Sequence, residues 1–362
     1  MKFSRMAPRR ERAEAAGGGS APLRTDEVSR HAVRLVVIDA DIPRLVPFRA
    51  LPRLLRAGDL VVLNDAATLP ASLRGTTANG TRFELRLSSP VDGSRLTGVL
   101  FGDRDHRTRT EDRPPPPSLA VGDHVQVAGV SAHVVATLGR RVELIAPIAG
   151  DDLWRAIYAT GTPVQYAHRI DALPLHAVQT AYAARPWAAE MPSAGRPITW
   201  DVLLGLRRAG VELATLTHAA GLSATGDDAL DHALPWPERY EIPKPTVAAI
   251  AAAKARSGRV IAVGTTVVRA LEAAAQHGPL RAGSGVATLR LDPTYAPKIV
   301  DGLVSGLHVP GESHFELLQA FAPRARLEQA LALAAGHGLS SHELGDACLI
   351  LREAALRPGA SR

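Results

Sequence analysis

The residues whose types and spacing could do chemistry fall in short polar loops, each leaving an apolar run. Gly264-Thr265-Thr266, with Arg269 one helical turn further on, follow Val260–Val263. A buried strand that passes through a glycine into a threonine-led helix offers backbone N–H groups to an anion. An arginine one turn in adds a bidentate contact to a carboxylate or phosphate. The structural alternative is a threonine cap after a glycine turn. Ser193-Ala194-Gly195, in the segment MPSAGRPIT that ends at Thr199, lets backbone approach a ligand closely. A proline-rich connection capped by Thr199 accounts for it equally well. Thr217-His218 leave a third apolar run and lead to Asp227, Asp228, Asp231 and His232. His308, Glu312, Ser313 and His314 follow a fourth, and their imidazole and carboxylate groups suit acid/base work. Asn64-Asp65 end the run Leu60–Leu63, and Asp346 sits in a glycine turn ahead of Cys348–Leu351; both also read as ordinary turns.

Several chemistries are excluded. There is no HExxH or HxH spacing, and the single cysteine, Cys348, permits neither an internal disulfide nor a cysteine-cluster metal site, so no metal is expected. Gly283-Ser284-Gly285 has Thr288 where a dinucleotide fingerprint needs its third glycine. No GxxxxGK[ST] loop and no GxSxG elbow is present, which removes nucleotide triphosphate hydrolysis and serine-hydrolase chemistry.

The elements that must position these loops change character along the 362 residues. Residues 1–19 are basic without an apolar core, which reads as a flexible arm and not a secretory signal. From 59 to 150 short runs alternate apolar and polar residues (Phe83, Leu85, Leu87; Val125, Val127; Val142, Leu144) between glycine turns. That pattern predicts a small antiparallel β-barrel, with Arg104–Pro117 as a long loop. Residues 20–58 and 151–362 alternate strand and helix patterns, with helices predicted at Trp200–Arg208, Pro245–Arg256, Thr265–Gln276 and Ala325–Ala335. Repeated βα units imply a largely parallel sheet under helices, open or closed into a barrel, with the β-domain inserted into it.

Hydrophobic residues at 46% and charged residues at 22% describe a folded chain. No apolar run approaches the roughly 18–20 residues of a membrane span, so cytoplasmic residence is expected. The net charge of +6 is almost all arginine, a side chain suited to phosphate but also favoured by a GC-rich genome.

Taken in order, these segments resemble the S-adenosylmethionine:tRNA ribosyltransferase-isomerase family of queuosine biosynthesis. FRALPRLLRAGDLVVLNDAATLPASLRG (48–75) is similar to LPxLLxxGDLLVxNDTRVIPARLxG. Pro163 to Tyr166 and the segment 178–183 resemble P-x-x-Y and Y-Q-T-V-Y-A, and MPSAGRPIT resembles A-P-T-A-G-L-H-F-T. RVIAVGTTVVRALEAAA (259–275) follows R-V-I-A-V-G-T-T-S-V-R-x-L-E-x-A nearly throughout. IVDGLVSGLHVPGES and GDACLIL resemble V-D-A-L-x-T-N-F-H-L-P-x-S-T and G-D-A-M-L-I.

The resemblance implies an α/β barrel with an inserted β-barrel domain. It implies S-adenosylmethionine as a ribosyl donor and, as acceptor, the aminomethyl group of a 7-deazaguanine in the tRNA anticodon region. Epoxyqueuosine, adenine and methionine are the products. By that resemblance Gly264, Thr265, Thr266, Arg269, Ser193, Ala194 and Gly195 bind the donor. His218 and His308 are the acid/base pair, and Asn64, Asp65, Thr199, Glu312, Ser313 and Asp346 contact substrate. A monomer or weak homodimer is expected.

The chain departs from the family pattern at Ala66-Ala67 (for T-R), Ser72 (for the arginine of P-A-R-L), Pro197 (for the histidine of A-G-L-H-F-T), the loop Ala219–Ser223 and Ser305-Gly306-Leu307. Two further readings follow from those departures. One is a ribosyltransferase of the same kind with a non-tRNA acceptor, and the other is a non-catalytic RNA-binding relative.

Overall fold

The computed structural model describes residues 29–167 and 171–352, so the segment 1–19 lies outside the described residues. In chain order the strands are β1 (Arg34–Ile38), β2 (Arg44–Pro47), β3 (Leu60–Asn64), β4 (Ala66–Thr68), β5 (Ser72–Thr77), β6 (Arg82–Leu87), β7 (Arg95–Gly102), β8 (His124–Val127), β9 (Val130–Leu138), β10 (Arg141–Ile145), β11 (Arg185–Ala188), β12 (Glu212–His218), β13 (Glu238–Ile242), β14 (Val260–Val263), β15 (Gly283–Ala287), β16 (Gly302–Gly306) and β17 (Ala347–Leu351). The helices are α1 (Leu51–Leu54), α2 (Gly150–Thr160), α3 (Leu175–Val178), α4 (Trp200–Arg208), α5 (Asp228–His232), α6 (Lys244–Ala255), α7 (Thr265–Ala274), α8 (Ser313–Leu318) and α9 (Arg324–Gly336).

Nine strands form the main sheet in the order β15-β13-β12-β3-β14-β16-β17-β1-β2. β3 is flanked in parallel by β12 and β14, and β16 runs parallel to β14. Both faces are covered, which is why β3 reads as an unbroken apolar run. Leu60 and Val62 pack with α6, α7 and α9 on one side, and Val61 and Leu63 with α1 and α4 on the other. The start of β3 is tied down by the fully buried Asp59, which accepts from Arg259 Nη2 (2.6 Å) and the Arg259 and Arg56 amides.

The six strands β10-β7-β6-β5-β8-β9 close into the expected antiparallel barrel. Its boundaries differ from those the sequence suggests. Leu60–Leu63, read as part of the segment 59–150, lies inside the main sheet, and the barrel strands run from Ser72 to Ile145. A strand apolar at every position needs cover on both faces, whereas a small-barrel strand alternates. Helix α2, assigned by pattern to the α/β part, packs Leu153 and Ile157 into the barrel core.

That core also holds charge. Glu84 accepts from Arg86 Nε (2.8 Å) and the Ser72 hydroxyl (2.7 Å), and Arg113 Nη1 lies 2.5 Å from its other oxygen. Burial alone would raise the Glu84 pKa, but the two guanidinium groups outweigh it and bring the carboxyl down to about 2. The folded-state pKa lies below the unfolded one. The stabilisation is therefore complete above pH 4.5 and is lost as pH falls towards 2. Glu84→Gln strands two buried guanidiniums and should cost about 3–5 kcal/mol at pH 7. The gap from wild type should close in acid, as measured by urea denaturation from pH 7 to 2.5.

Candidate active site

β12, β3, β14 and β16 are consecutive in the sheet and point the same way. Their carboxyl ends therefore bring Asn64, His218, Gly264 and Gly306 to one edge. The chain places β12 on one side of β3 and then crosses to β14 on the other. A crevice opens at such a switch point.

Asn64, at the end of β3, is buried and occupies its whole carboxamide. Its Oδ1 accepts the His218 and Ala66 amides (2.9 and 3.1 Å), and its Nδ2 donates to the His218 carbonyl (3.0 Å) and the Thr266 hydroxyl (3.4 Å). The expected substrate contact is thus a clamp between β3, β12 and α7. It stands in the main sheet and not in the barrel domain, because β3 does. Asp65 beside it is half-buried and accepts the Thr217 hydroxyl at 2.6 Å.

His218 is fully buried, and neither ring nitrogen has a hydrogen-bond partner. Burial, with the nearby Arg269 charge, lowers its pKa to about 3, so the ring is neutral at pH 7. Glu238 Oε2 lies 3.6 Å from Nε2. That carboxylate is itself held by Arg269 Nη1 and by the Gly221 amide at 2.6 Å. Arg269 is 3% exposed and also donates to the carbonyls of Trp236, Ala287 and Leu289. Its expected role as a direct anion ligand is therefore not what the geometry offers. One turn into α7 the side chain turns under β13 and β15, where it locks Glu238 beside His218. Sequence reading missed Glu238, because the alternating ERYEI of β13 resembles any exposed edge strand.

Gly264 has φ +91°, a conformation a side chain would strain, and the head of α7 makes no side-chain cap. Thr265 is buried and Thr266 half-buried. The turn Ser193–Gly195 lies against this head, with Ala194 Cβ 3.8 Å from where a Cβ on Gly264 would stand. A Cβ on Gly195 would collide with the Tyr182 hydroxyl at 2.1 Å. The two glycine segments thus lie against each other. Thr199 heads α4 without a side-chain cap bond, and its carbonyl accepts the Leu203 amide.

After β16, His308 Nδ1 lies 3.2 Å from Glu312 Oε2, and its ring centroid is 4.7 Å from that of His314. Burial, with His308 and Arg269 nearby, lowers the His314 pKa to about 3. Ser313, the first residue of α8, is exposed. Asp346 is not available to substrate. It accepts the Arg34 amide (2.7 Å), Arg34 Nη2 (2.8 Å) and the Ser340 amide (3.0 Å), because the turn into β17 needs those groups satisfied. Asp227 and Asp231 likewise serve α5 and its approach. Among the described residues no His, Cys, Asp and Glu side chains gather in threes to hold a metal.

The motif departures divide by place. Ser72, where the family has arginine, supports Glu84 inside the barrel, away from the crevice. Ala66 and Ala67 lie in β4, next to Asp65, and pair with β11. The neutrality of His218 is directly testable. Its 15N shifts in histidine-labelled protein should not titrate between pH 8 and 5, and Glu238→Gln should leave the ring neutral, because burial is the main cause.

The chain matches the family described as "Queuosine biosynthesis protein" over residues 20–350. It is 35% identical over 338 residues to an S-adenosylmethionine:tRNA ribosyltransferase-isomerase of Acidithiobacillus ferrooxidans, covering 91% of this chain and 94% of that one. With the protein of the same name from Trichlorobacter lovleyi it shares 33% identity over 333 residues, 89% of this chain and 94% of the other. The crystal structure of S-adenosylmethionine tRNA ribosyltransferase from Thermotoga maritima aligns with 89% of this chain and 93% of its own, at 23% identity and a TM-score of 0.47. With an ordered set of motifs, a family match over nearly the whole described fold and relatives at this level of identity, the chain belongs to the queuosine biosynthesis protein family.

Proposed function

We propose that this protein transfers the ribosyl group of S-adenosylmethionine to the aminomethyl group of a 7-deazaguanine in the anticodon region of tRNA. The ribosyl group is isomerised to the epoxycyclopentanediol of epoxyqueuosine, and adenine and methionine leave. One observation carries the reading: a buried imidazole with no hydrogen-bond partner on either ring nitrogen stands at the same sheet edge as an uncapped helix head and a glycine turn. Donor and proton acceptor then share one crevice.

In this reading the amides of Thr265 and Thr266 hold the methionine carboxylate, Gly264 shapes their turn while its own amide donates to the Val304 carbonyl (2.8 Å), and Ser193, Ala194 and Gly195 line the donor. His218 accepts a proton from the ribosyl carbon next to the sulfonium, since neither of its ring nitrogens is engaged by another group. His308, with Glu312, carries protons at the open side. Arg269 acts through Glu238 and not on the donor. The reaction takes place in the cytoplasm.

Purified protein incubated with S-adenosylmethionine and tRNA bearing the aminomethyl base should release adenine and methionine, and unmodified tRNA should give none. His218→Ala should lower kcat by about 10²–10⁴-fold with little change in donor affinity. Release with a small amine in place of tRNA would instead support a non-tRNA acceptor. Absence of release with any acceptor overturns the reading.

A further inference from the structure

Next to the crevice the surface carries an arrangement that none of the site residues uses. Trp187, on β11, is half-buried, with the Arg239 guanidinium carbon 4.9 Å and that of Arg185 5.7 Å from its ring centroid. We propose that Arg185, Trp187 and Arg239 are the docking patch for the single-stranded RNA loop that delivers the acceptor base, an inference that rests on the function proposed above.

Position is the first argument. The amides of Ala184 and Arg185 donate to the Asp65 carbonyl (2.8 and 3.3 Å), so the patch begins one residue from Asn64. On its other flank the amide of Ala219, the residue after His218, donates to the Arg239 carbonyl (2.8 Å). The patch therefore spans the ends of β3 and β12, where a loop presenting one base to the crevice has to rest its neighbours.

Chemistry is the second. Arg185 is paired with Glu241 at 2.7 Å, whereas Arg239 is exposed and has no carboxylate partner among the described residues. Glu241 pairs with Arg185 and the Asp65 carboxylate lies near it, so the positive charge the patch presents outward is that of Arg239. With the Arg239 guanidinium over the indole, an unstacked base extends that cation–π stack, and the guanidinium N–H groups suit its phosphate. An acidic peptide would satisfy the charge but has no use for the stacking surface.

Binding of tRNA carrying the aminomethyl base, read by fluorescence polarisation, tests the assignment alongside wild-type turnover. Trp187→Ala and Arg239→Ala should each weaken RNA binding by about 5–150-fold, the range for loss of one stacked base, with S-adenosylmethionine affinity unchanged. Arg239→Lys keeps the charge and loses the plane. It should therefore retain the wild-type salt dependence of binding while losing affinity, whereas Arg239→Ala should also flatten that dependence. Wild-type RNA affinity in both alanine variants, with a wild-type enzyme that turns the RNA over, overturns the patch and leaves the function standing. Displacement of the RNA from this patch by an acidic peptide of equal affinity overturns its assignment to RNA. A wild-type protein that neither binds nor modifies tRNA overturns the functional reading, and the patch falls with it.

Discussion

The carboxamide of Asn64 is the joint on which the site depends. It stands at the end of β3, an interior strand with neighbours on both sides that the chain reaches by separate crossovers. Its two donors and its acceptor oxygen bind the end of β12 and the head of α7 to β3. A buried amide with every group satisfied is directional in a way that apolar contact is not. It sets where the His218 backbone lies, and hence where the imidazole lies. The other end of β3 is held by Asp59 and Arg259, so the strand that organises the sheet is anchored at both ends by polar groups.

The same economy appears in the other motif residues. Gln179 pairs with both backbone groups of Thr68, as a neighbouring strand would. Glu272, fully buried in α7, accepts the amides of Lys298, Ile299 and Val300 and so sets the approach to β16. Glu190 accepts the Tyr166 hydroxyl and the Ser223 amide (2.9 Å), joining the segment after α2 to the loop beyond His218. Much of what makes the family pattern recognisable is thus scaffold that aims the crevice, and few of its polar residues are free to touch a ligand.

Arginine shows why composition says little about partners. A guanidinium has five donors in a plane and can be buried where carbonyls and a carboxylate meet them. Arg86, Arg113 and Arg269 are all buried in this way, so part of the arginine surplus serves the interior. The surface charge that matters is local, as at Arg239 beside Trp187, and net charge does not report it.

The unbroken apolar runs of β14 and β17, the alternation in β6 and β8 and the proline and glycine punctuation of α6 were legible because burial on one or two faces writes its own period into a chain. So were the polar loops that follow the strands, and with them Gly264, Ser193–Gly195, His218 and His308. The owner of β3 was not legible, since an apolar run of five residues does not name its neighbours. Nor were β13 and β15, whose short polar patterns carry no distinct period. The sequence by itself determined the strongly periodic elements, the inserted β-barrel and the loops that hold the reactive side chains, because those follow from local periodicity and turn chemistry. Only the tertiary structure decided which of those side chains are free. Asn64, Arg269 and Asp346 are committed to internal partners, and Glu238 stands beside His218, because hydrogen-bond satisfaction in a buried crevice depends on residues far apart in the chain.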